Sequence, residues 1–162
     1  MKSKKDKYAG VKASSTTYLI NYLGRSYHKY VKEKLQDVNL SQIMFFNLLF
    51  IQRNPNVAMN VLAREFNIDK SYITRIVAKL LELGLVEKKP SERDSRSQLL
   101  KLTSKGEKTI KEVLNHLMNH EKQIEAQLEP EEYQALLVIL QKLYNHEKER
   151  NHGIHEKGIF AE

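Results

Sequence analysis

The 162-residue sequence contains no cysteine. That absence excludes disulfide scaffolds, zinc-thiolate fingers, iron-sulfur clusters, and catalysis or redox sensing by a thiol. It also favours a cytoplasmic location, because disulfides belong to oxidising compartments. At this length we expect one domain, or two small ones joined together, with enough residues to bury a hydrophobic core.

Long apolar segments are also missing. The longest, Ile43 to Ile51, has nine residues and is interrupted by Asn47, whereas a membrane-spanning helix needs about twenty. The basic start, Met1 to Lys7, leads into the polar residues Ala13 to Thr17 instead of the apolar core of a secretion signal. The sequence therefore predicts a protein that is neither secreted nor a partner of membranes. Its apolar segment predicts a buried helix.

Residue arrangements typical of catalysis are absent as well. There is no glycine-rich phosphate loop, no Ser-His-Asp spacing and no pair of carboxylates on an apolar face. His120 and Glu121 do not have the His-Glu-x-x-His order of a zinc protease. We therefore expect a protein that is not an enzyme and that uses no cofactor.

Positive charge, in contrast, is abundant. Lys and Arg number 27 against 20 Asp and Glu, a formal net charge of +7 with a pI near 9.4. Residues 70–105 contain nine basic and four acidic residues, whereas residues 106–162 contain seven and eleven. This asymmetry predicts that one part of the molecule binds a polyanion. The alternative is a chance distribution of charge over a solvated surface.

Apolar residues that recur every three or four positions predict six helices. Ser41 and Asn60 are candidate N-caps of the second and third helices. Asp69 caps the fourth, and Gly84 ends it in a left-handed conformation. Thr103 caps the fifth, and Pro130 opens the sixth. The expected bounds are about 18–35, 42–52, 61–66, 70–83, 104–127 and 130–149.

Two short strands are predicted between the fourth and fifth helices. Leu85 to Lys89 and Gln98 to Leu102 flank an exposed turn from Pro90 to Ser97. A short helix, a tight turn, a second helix and a basic hairpin together form a winged helix-turn-helix. The expected fold is therefore mainly α-helical, with a small β-hairpin as the wing.

The fourth helix has the composition of a DNA-reading element. Its apolar residues form one face, and the opposite face carries hydroxyls, a phenol and positive charges. The residues of that outward face are Lys70, Ser71, Tyr72, Thr74, Arg75 and Lys79. Hydroxyls bond base edges or phosphates, a tyrosine contacts a phosphate or a thymine methyl group, and an arginine can form two hydrogen bonds with guanine. The alternative is an ordinary solvated helix face.

The hairpin adds Lys88, Lys89, Arg93 and Arg96. An arginine at the tip of a wing can enter a narrow minor groove, where the negative potential is strongest. Asp94 lies between the two arginines, and phosphate would repel it. We therefore expect Asp94 to brace a neighbouring guanidinium or backbone amide. A floppy charged loop is the alternative.

A family resemblance rests on two runs. Asp94-Ser-Arg96 is followed after five residues by Leu102-Thr103 and then Gly106, and Leu80-Leu-Glu-Leu-Gly84-Leu-Val86 precedes them. These runs resemble the MarR (multiple antibiotic resistance regulator) family of transcription factors, over about residues 15 to 148. The resemblance implies a repressor that binds a palindromic operator in double-stranded DNA as a homodimer. It also implies the fourth helix in the major groove, Arg96 in the minor groove with Asp94 as its wing partner, and a small-ligand site between the dimer and DNA lobes.

The expected domain organisation follows from these assignments. Residues 1–14 form a basic arm, 15–40 and 104–150 a helical dimerisation region, 41–103 the DNA-binding region and 151–162 a tail. The first and last helices each carry an apolar face that a monomer of this size cannot cover, which also predicts a homodimer. The arm and the tail depart from the family pattern, so the resemblance assigns them no role.

Two further groups of residues are candidates for sensing. A small aromatic or anionic effector is the expected ligand of an aromatic pocket, although core packing also explains aromatic residues at helical spacing. The pocket candidates are Tyr18, Tyr22, Arg25, His28 and Phe46. His116 and His120 share a helix face, but further metal ligands would have to come from elsewhere in the fold, so we expect no metal. A metal-responsive regulator and a winged-helix module that docks on protein or RNA remain the alternatives.

Overall fold

The computed structural model describes residues 15–90 and 98–150. These residues form six helices and a three-stranded antiparallel sheet. In chain order the elements are α1 (Thr16–Asp37), α2 (Gln42–Arg53), β1 (Val57–Ala58), α3 (Met59–Glu65), α4 (Lys70–Glu82), β2 (Val86–Pro90), β3 (Gln98–Leu102), α5 (Ser104–Glu125) and α6 (Pro130–Arg150). The predicted arm (1–14), the tail (151–162) and the tip residues Arg93, Asp94 and Arg96 lie outside the described residues.

The chain divides into two compact units, Met1–Gln42 and Ile43–Glu162. The described part of the first unit is α1 and the turn that follows it. The Ser15 side chain caps α1 by accepting a hydrogen bond from the Tyr18 amide at 3.3 Å. After the last turn, Asn39 adopts a left-handed conformation with φ 58°, and the Leu40 amide donates to the Leu35 carbonyl at 2.8 Å. Asparagine is among the few non-glycine residues that tolerate this conformation.

The second unit has its hydrophobic core in α2, α3, α4, α5 and the sheet. The fully buried side chains include Phe45 and Leu48 of α2, Leu62 of α3, Ile73 of α4 and Leu100 of β3. Each such side chain stabilises the fold by about 1.5–3 kcal/mol relative to exposure. The prediction of a buried helix over the apolar segment is confirmed.

The helix-turn-helix differs from prediction at its start. The structure begins α3 at Met59, with Ala58 in the N-cap position and no side-chain capping bond, so the expected N-cap at Asn60 is wrong. The reason is that β1 directly precedes α3: Val57 pairs with Leu100 of β3, and the chain passes from the strand straight into the helix. A two-residue strand has too little pattern to be recognised in a sequence.

The second helix of the motif, α4, begins and ends as predicted. The Asp69 carboxylate accepts a hydrogen bond from the Ser71 amide at 2.7 Å and caps α4. Hydrogen bonds from Ser71 hold the pKa of Asp69 below its ordinary value. At the other end, Gly84 has φ 68°, the left-handed conformation that a helix C-terminus favours in glycine.

The hairpin is confirmed: it consists of β2 and β3, and β3 is the central strand of the sheet. The strand order is β1-β3-β2, and the register pairs Val86 with Leu102 and Lys88 with Leu100. Val86 and Leu100 are buried, while the remaining residues of β2 are exposed. The hairpin therefore packs one side on the core and presents basic residues to solvent.

The junction between α4 and α5 is held by several hydrogen bonds. The Thr103 hydroxyl donates to the Gly84 carbonyl at 2.7 Å and accepts from the Gly106 amide at 3.1 Å, which caps α5 as predicted. The Lys105 ammonium donates to the Leu83 carbonyl at 2.7 Å. The C-terminus of α4 is therefore fastened directly to the N-terminus of α5.

The last two helices differ in how many of their side chains are buried. Ile110, Val113 and Leu117 of α5 are buried, but α6 has no buried residue. The Tyr133 hydroxyl of α6 donates to Glu121 of α5 at 2.6 Å. Within the described ranges, none of the helices has the length and apolar content needed to span a bilayer.

Candidate nucleic-acid interface

The exposed face of α4 carries every residue predicted for the recognition helix. Ile73, Ile76, Val77 and Leu80 are buried on the opposite face. The exposed residues are Lys70, Ser71, Tyr72, Thr74, Arg75 and Lys79. The helix therefore presents a continuous polar and basic row, with no acidic residue in its first turn.

Side-chain contacts organise this row. The Thr74 hydroxyl donates to the Lys70 carbonyl at 2.9 Å, so the hydroxyl oxygen is left to accept hydrogen bonds. The Arg75 guanidinium carbon lies 5.2 Å from the centre of the Tyr72 ring. Lys79 pairs with Glu82 at 2.8 Å, one turn nearer the C-terminus. Free positive charge on α4 is therefore concentrated towards its N-terminal half.

The hairpin contributes a second basic surface. Lys88 and Lys89 are exposed on β2. Lys101 of β3 forms an ion pair with Glu87 at 2.7 Å, which raises the pKa of Lys101 and lowers the pKa of Glu87. Sequence reasoning missed this pair, although Glu87 and Lys101 lie directly opposite each other in the hairpin register.

Large apolar side chains are exposed on α1 and on α6. The α1 residues are Leu19, Ile20, Tyr22 and Leu23, and the α6 residues are Leu137, Val138, Ile139, Leu140, Leu143 and Tyr144. Leu23 is 65% exposed and Ile139 55%, values far above those of core residues. Groups of exposed apolar side chains on one helix are typical of an interaction surface.

Four of the five residues predicted for the effector pocket lie on α1. Tyr18 and Tyr22 stack at 6.4 Å along α1, and Arg25 is exposed one turn further. Phe46 is half-buried on α2. A cavity of about 390 Å³ lies near the end of α1, and of the five predicted residues only His28 lines it. The other lining residues are Lys32, Leu35, Gln36, Leu40, Ser41 and Gln42.

The two histidines considered as metal ligands lie on the long helix α5. His116 and His120 are half-buried on α5. In the portion of the chain that the structure describes, no three His, Cys, Asp or Glu side chains are grouped so as to hold a metal ion.

Comparisons with known proteins all indicate the same family of regulators. A sequence model of the MarR family matches residues 45–97. The HTH-type transcriptional regulator BilQ of Clostridium symbiosum is 32% identical over 114 residues, covering 70% of this chain and 79% of that protein. BilQ of Clostridioides difficile is 28% identical over 133 residues, with 82% and 90% coverage.

Solved structures show the same fold. A mutant of Staphylococcus aureus MepR bound to an oligodeoxyribonucleotide superposes with a TM-score of 0.71 at 17% identity. The match covers 82% of this chain and 97% of that one. The winged helix-turn-helix architecture predicted from the sequence is thereby confirmed.

Proposed function

This chain belongs to the MarR family of transcriptional regulators, and on that premise we propose that it binds a palindromic operator as a homodimer. In this proposal α4 lies in the major groove and the hairpin reaches the adjacent minor groove. Proteins of this family are DNA-binding regulators and not enzymes. The bound dimer would block transcription and so act as a repressor.

The observation that carries the proposal is the exposed face of α4. A buried apolar stripe fixes the helix on the core, so the opposite row is held outward. The side chains nearest the N-terminus are those that reach base edges in such motifs. Lys70 and Arg75 supply charge there, and Ser71 and Thr74 supply hydroxyls suited to bases or phosphates.

The wing is assigned to the minor groove. Lys88 and Lys89 are exposed and suited to phosphate contacts. Arg93, Asp94 and Arg96 belong to the turn outside the described residues, and the family resemblance supports Arg96 as the inserted side chain. Replacing Arg96 by Ala should weaken operator binding by about 1–3 kcal/mol and relax the preference for A·T-rich flanks.

The apolar surfaces of α1 and α6 support the homodimer. Residues 15–40 and 104–150 would then form the dimerisation region, and two copies would cover each other's exposed leucines. A two-fold axis presents the two α4 helices to successive major grooves on one side of the duplex. The half-sites should therefore be inverted repeats with centres about 10 base pairs apart.

The test is a mobility-shift and footprinting series on the DNA upstream of the protein's own gene. We expect protection of two half-sites, resistance to nonspecific competitor, and a steep fall of affinity with salt. Lys70→Ala should weaken binding, whereas Lys122→Ala on α5 serves as a charge-matched control. Indifferent binding, or binding only to RNA or protein, would replace the proposal with an interaction module.

Release by a small molecule is the second part of the proposal. The cavity near the end of α1 has an apolar floor in Leu35 and Leu40 and a polar rim that includes His28 and Lys32. Such a lining suits a small aromatic or anionic effector. Adding a panel of aromatic acids to the operator complex should release the DNA for at least one of them, and Leu40→Trp, which fills the cavity, should abolish that release.

A further inference from the structure

Tyr72 and Arg75 form a pair on the exposed face of α4. They are three residues apart, which places them next to each other on a helix surface. The Arg75 guanidinium carbon is 5.2 Å from the Tyr72 ring centre, within the range of a cation-π contact. Tyr72 is 40% exposed, so part of its side chain stays accessible to solvent.

The pair restricts a side chain that is otherwise flexible. A free arginine samples many rotamers, and ordering it on DNA costs conformational entropy. A guanidinium that already rests on an aromatic ring loses less freedom when it binds. Its planar group of donors can then form the two parallel hydrogen bonds with guanine O6 and N7.

The position of the pair places it at the end of α4 that enters the groove. Asp69 caps the helix one turn before Tyr72, and its carboxylate is engaged by the Ser71 amide. The Arg75 guanidinium lies against the ring of Tyr72, which is one turn nearer the N-terminus. Arg75 is therefore directed towards the N-terminal end of α4 and not towards the Lys79–Glu82 pair.

We propose that Tyr72 positions the Arg75 guanidinium for a two-bond contact with guanine and thereby sets how strongly the protein selects that base. Tyr72 is then a positioning residue that acts through Arg75, not an independent contact with phosphate or thymine. This inference rests on the proposed function, because it presupposes α4 in the major groove.

The experiment selects operator sequences from a randomised library with the full-length protein and four variants. Arg75→Ala identifies the base pair that Arg75 reads, because only there does guanine preference disappear. In the unaltered protein that preference should be a factor of roughly 5 to 150. Tyr72→Leu removes the aromatic face and should reduce it by roughly two- to fivefold. The salt dependence of binding should stay unchanged, since no phosphate contact is lost.

The matched control is Tyr72→Phe, which retains the ring and loses only the hydroxyl. It should keep the guanine preference within about twofold of the original, because the face of the ring is preserved. In the double variant Tyr72→Leu/Arg75→Ala, the base profile should equal that of Arg75→Ala alone. Thermal melts of all four variants check that the fold is intact.

Several results would overturn the inference. Unchanged guanine preference in Tyr72→Leu would show that the ring does not position Arg75. Equal losses in Tyr72→Phe and Tyr72→Leu would assign the effect to the hydroxyl and a direct DNA contact. Additive effects in the double variant would mean that the two residues act independently. An unaltered protein that selects no inverted repeat would instead reject the proposed function itself, and this inference with it.

Discussion

At the scale of single residues, Gly106 lies at the α4–α5 junction, where the packing leaves no space for a side chain. A Cβ atom added there would lie 2.1 Å from the Leu85 carbonyl oxygen, a distance that backbone must shift to relieve. We expect Gly106→Ala to lower the free energy of unfolding by about 1–3 kcal/mol, the usual cost of overpacking. Urea unfolding at fixed protein concentration measures it.

Gly24 provides the matched control for this substitution. It lies inside α1, and an added Cβ meets nothing within 4 Å among the described residues. Alanine has the higher helix propensity, so Gly24→Ala should raise stability by about 0.5–1 kcal/mol. The same substitution should therefore lower the free energy of unfolding at Gly106 and raise it at Gly24. A loss of stability in both would contradict the assignment of tight packing to Gly106 alone.

At the scale of elements, the Tyr133–Glu121 hydrogen bond joins α6 to α5 at their connected ends. Glu121 accepts the bond, and this hydrogen bond, with a smaller contribution from the charge of Glu121, raises the pKa of Tyr133 to about 12 from an ordinary 10. Because the folded-state pKa is raised, the contact stabilises the fold fully below pH 10. That contribution is lost as the pH rises through about 12.

The prediction is a difference between two proteins over that pH window. Melting temperatures of the unaltered protein and of Tyr133→Phe should converge between pH 10 and about 12, because only the former has this contact to lose. Phenolate absorbance of the two proteins, compared over the same range, reports the titration of Tyr133 directly. A constant difference in melting temperature up to pH 12 would show that the bond has no part in holding α6.

At the scale of the whole molecule, the proposed homodimer depends on the exposed face of α6. Leu140 is 46% exposed in the isolated chain. If a second copy covers it, Leu140→Glu buries an unpaired charge and should give a monomer of 19.0 kDa with weakened operator binding. Sedimentation measures the first effect and mobility shift the second.

Gln134 supplies the control for the same charge. It is an exposed polar residue of α6 and lies about 120° round the helix from Leu140, since successive residues are separated by about 100°. Gln134→Glu should therefore leave both the dimer and operator binding nearly unchanged. A monomeric unaltered protein at micromolar concentration would remove the basis of the two-fold operator model.

Local patterns in the sequence were sufficient to predict most elements. The apolar repeat of α4, its cap at Asp69 and its left-handed end at Gly84 act over a few neighbouring residues, so they can be read without knowing the fold. The exposure of the basic row on α4 follows from the same repeat. The hairpin strands were found because Pro90 to Ser97 interrupts two short apolar segments. The predicted grouping of residues into domains stays a prediction, as does the cytoplasmic location.

Other features required contacts between residues that are distant along the chain. The pairing of β1 with β3 moved the start of α3 to Met59, and the bonds from Thr103 and Lys105 join residues 19 and 22 positions apart. Periodicity identifies an apolar face but not what covers it. Ile73 of α4 is fully buried while Leu140 of α6 is 46% exposed, although both belong to apolar stripes with three- and four-residue spacing. Only packing in three dimensions distinguishes an apolar residue of the core from an apolar residue on an exposed surface.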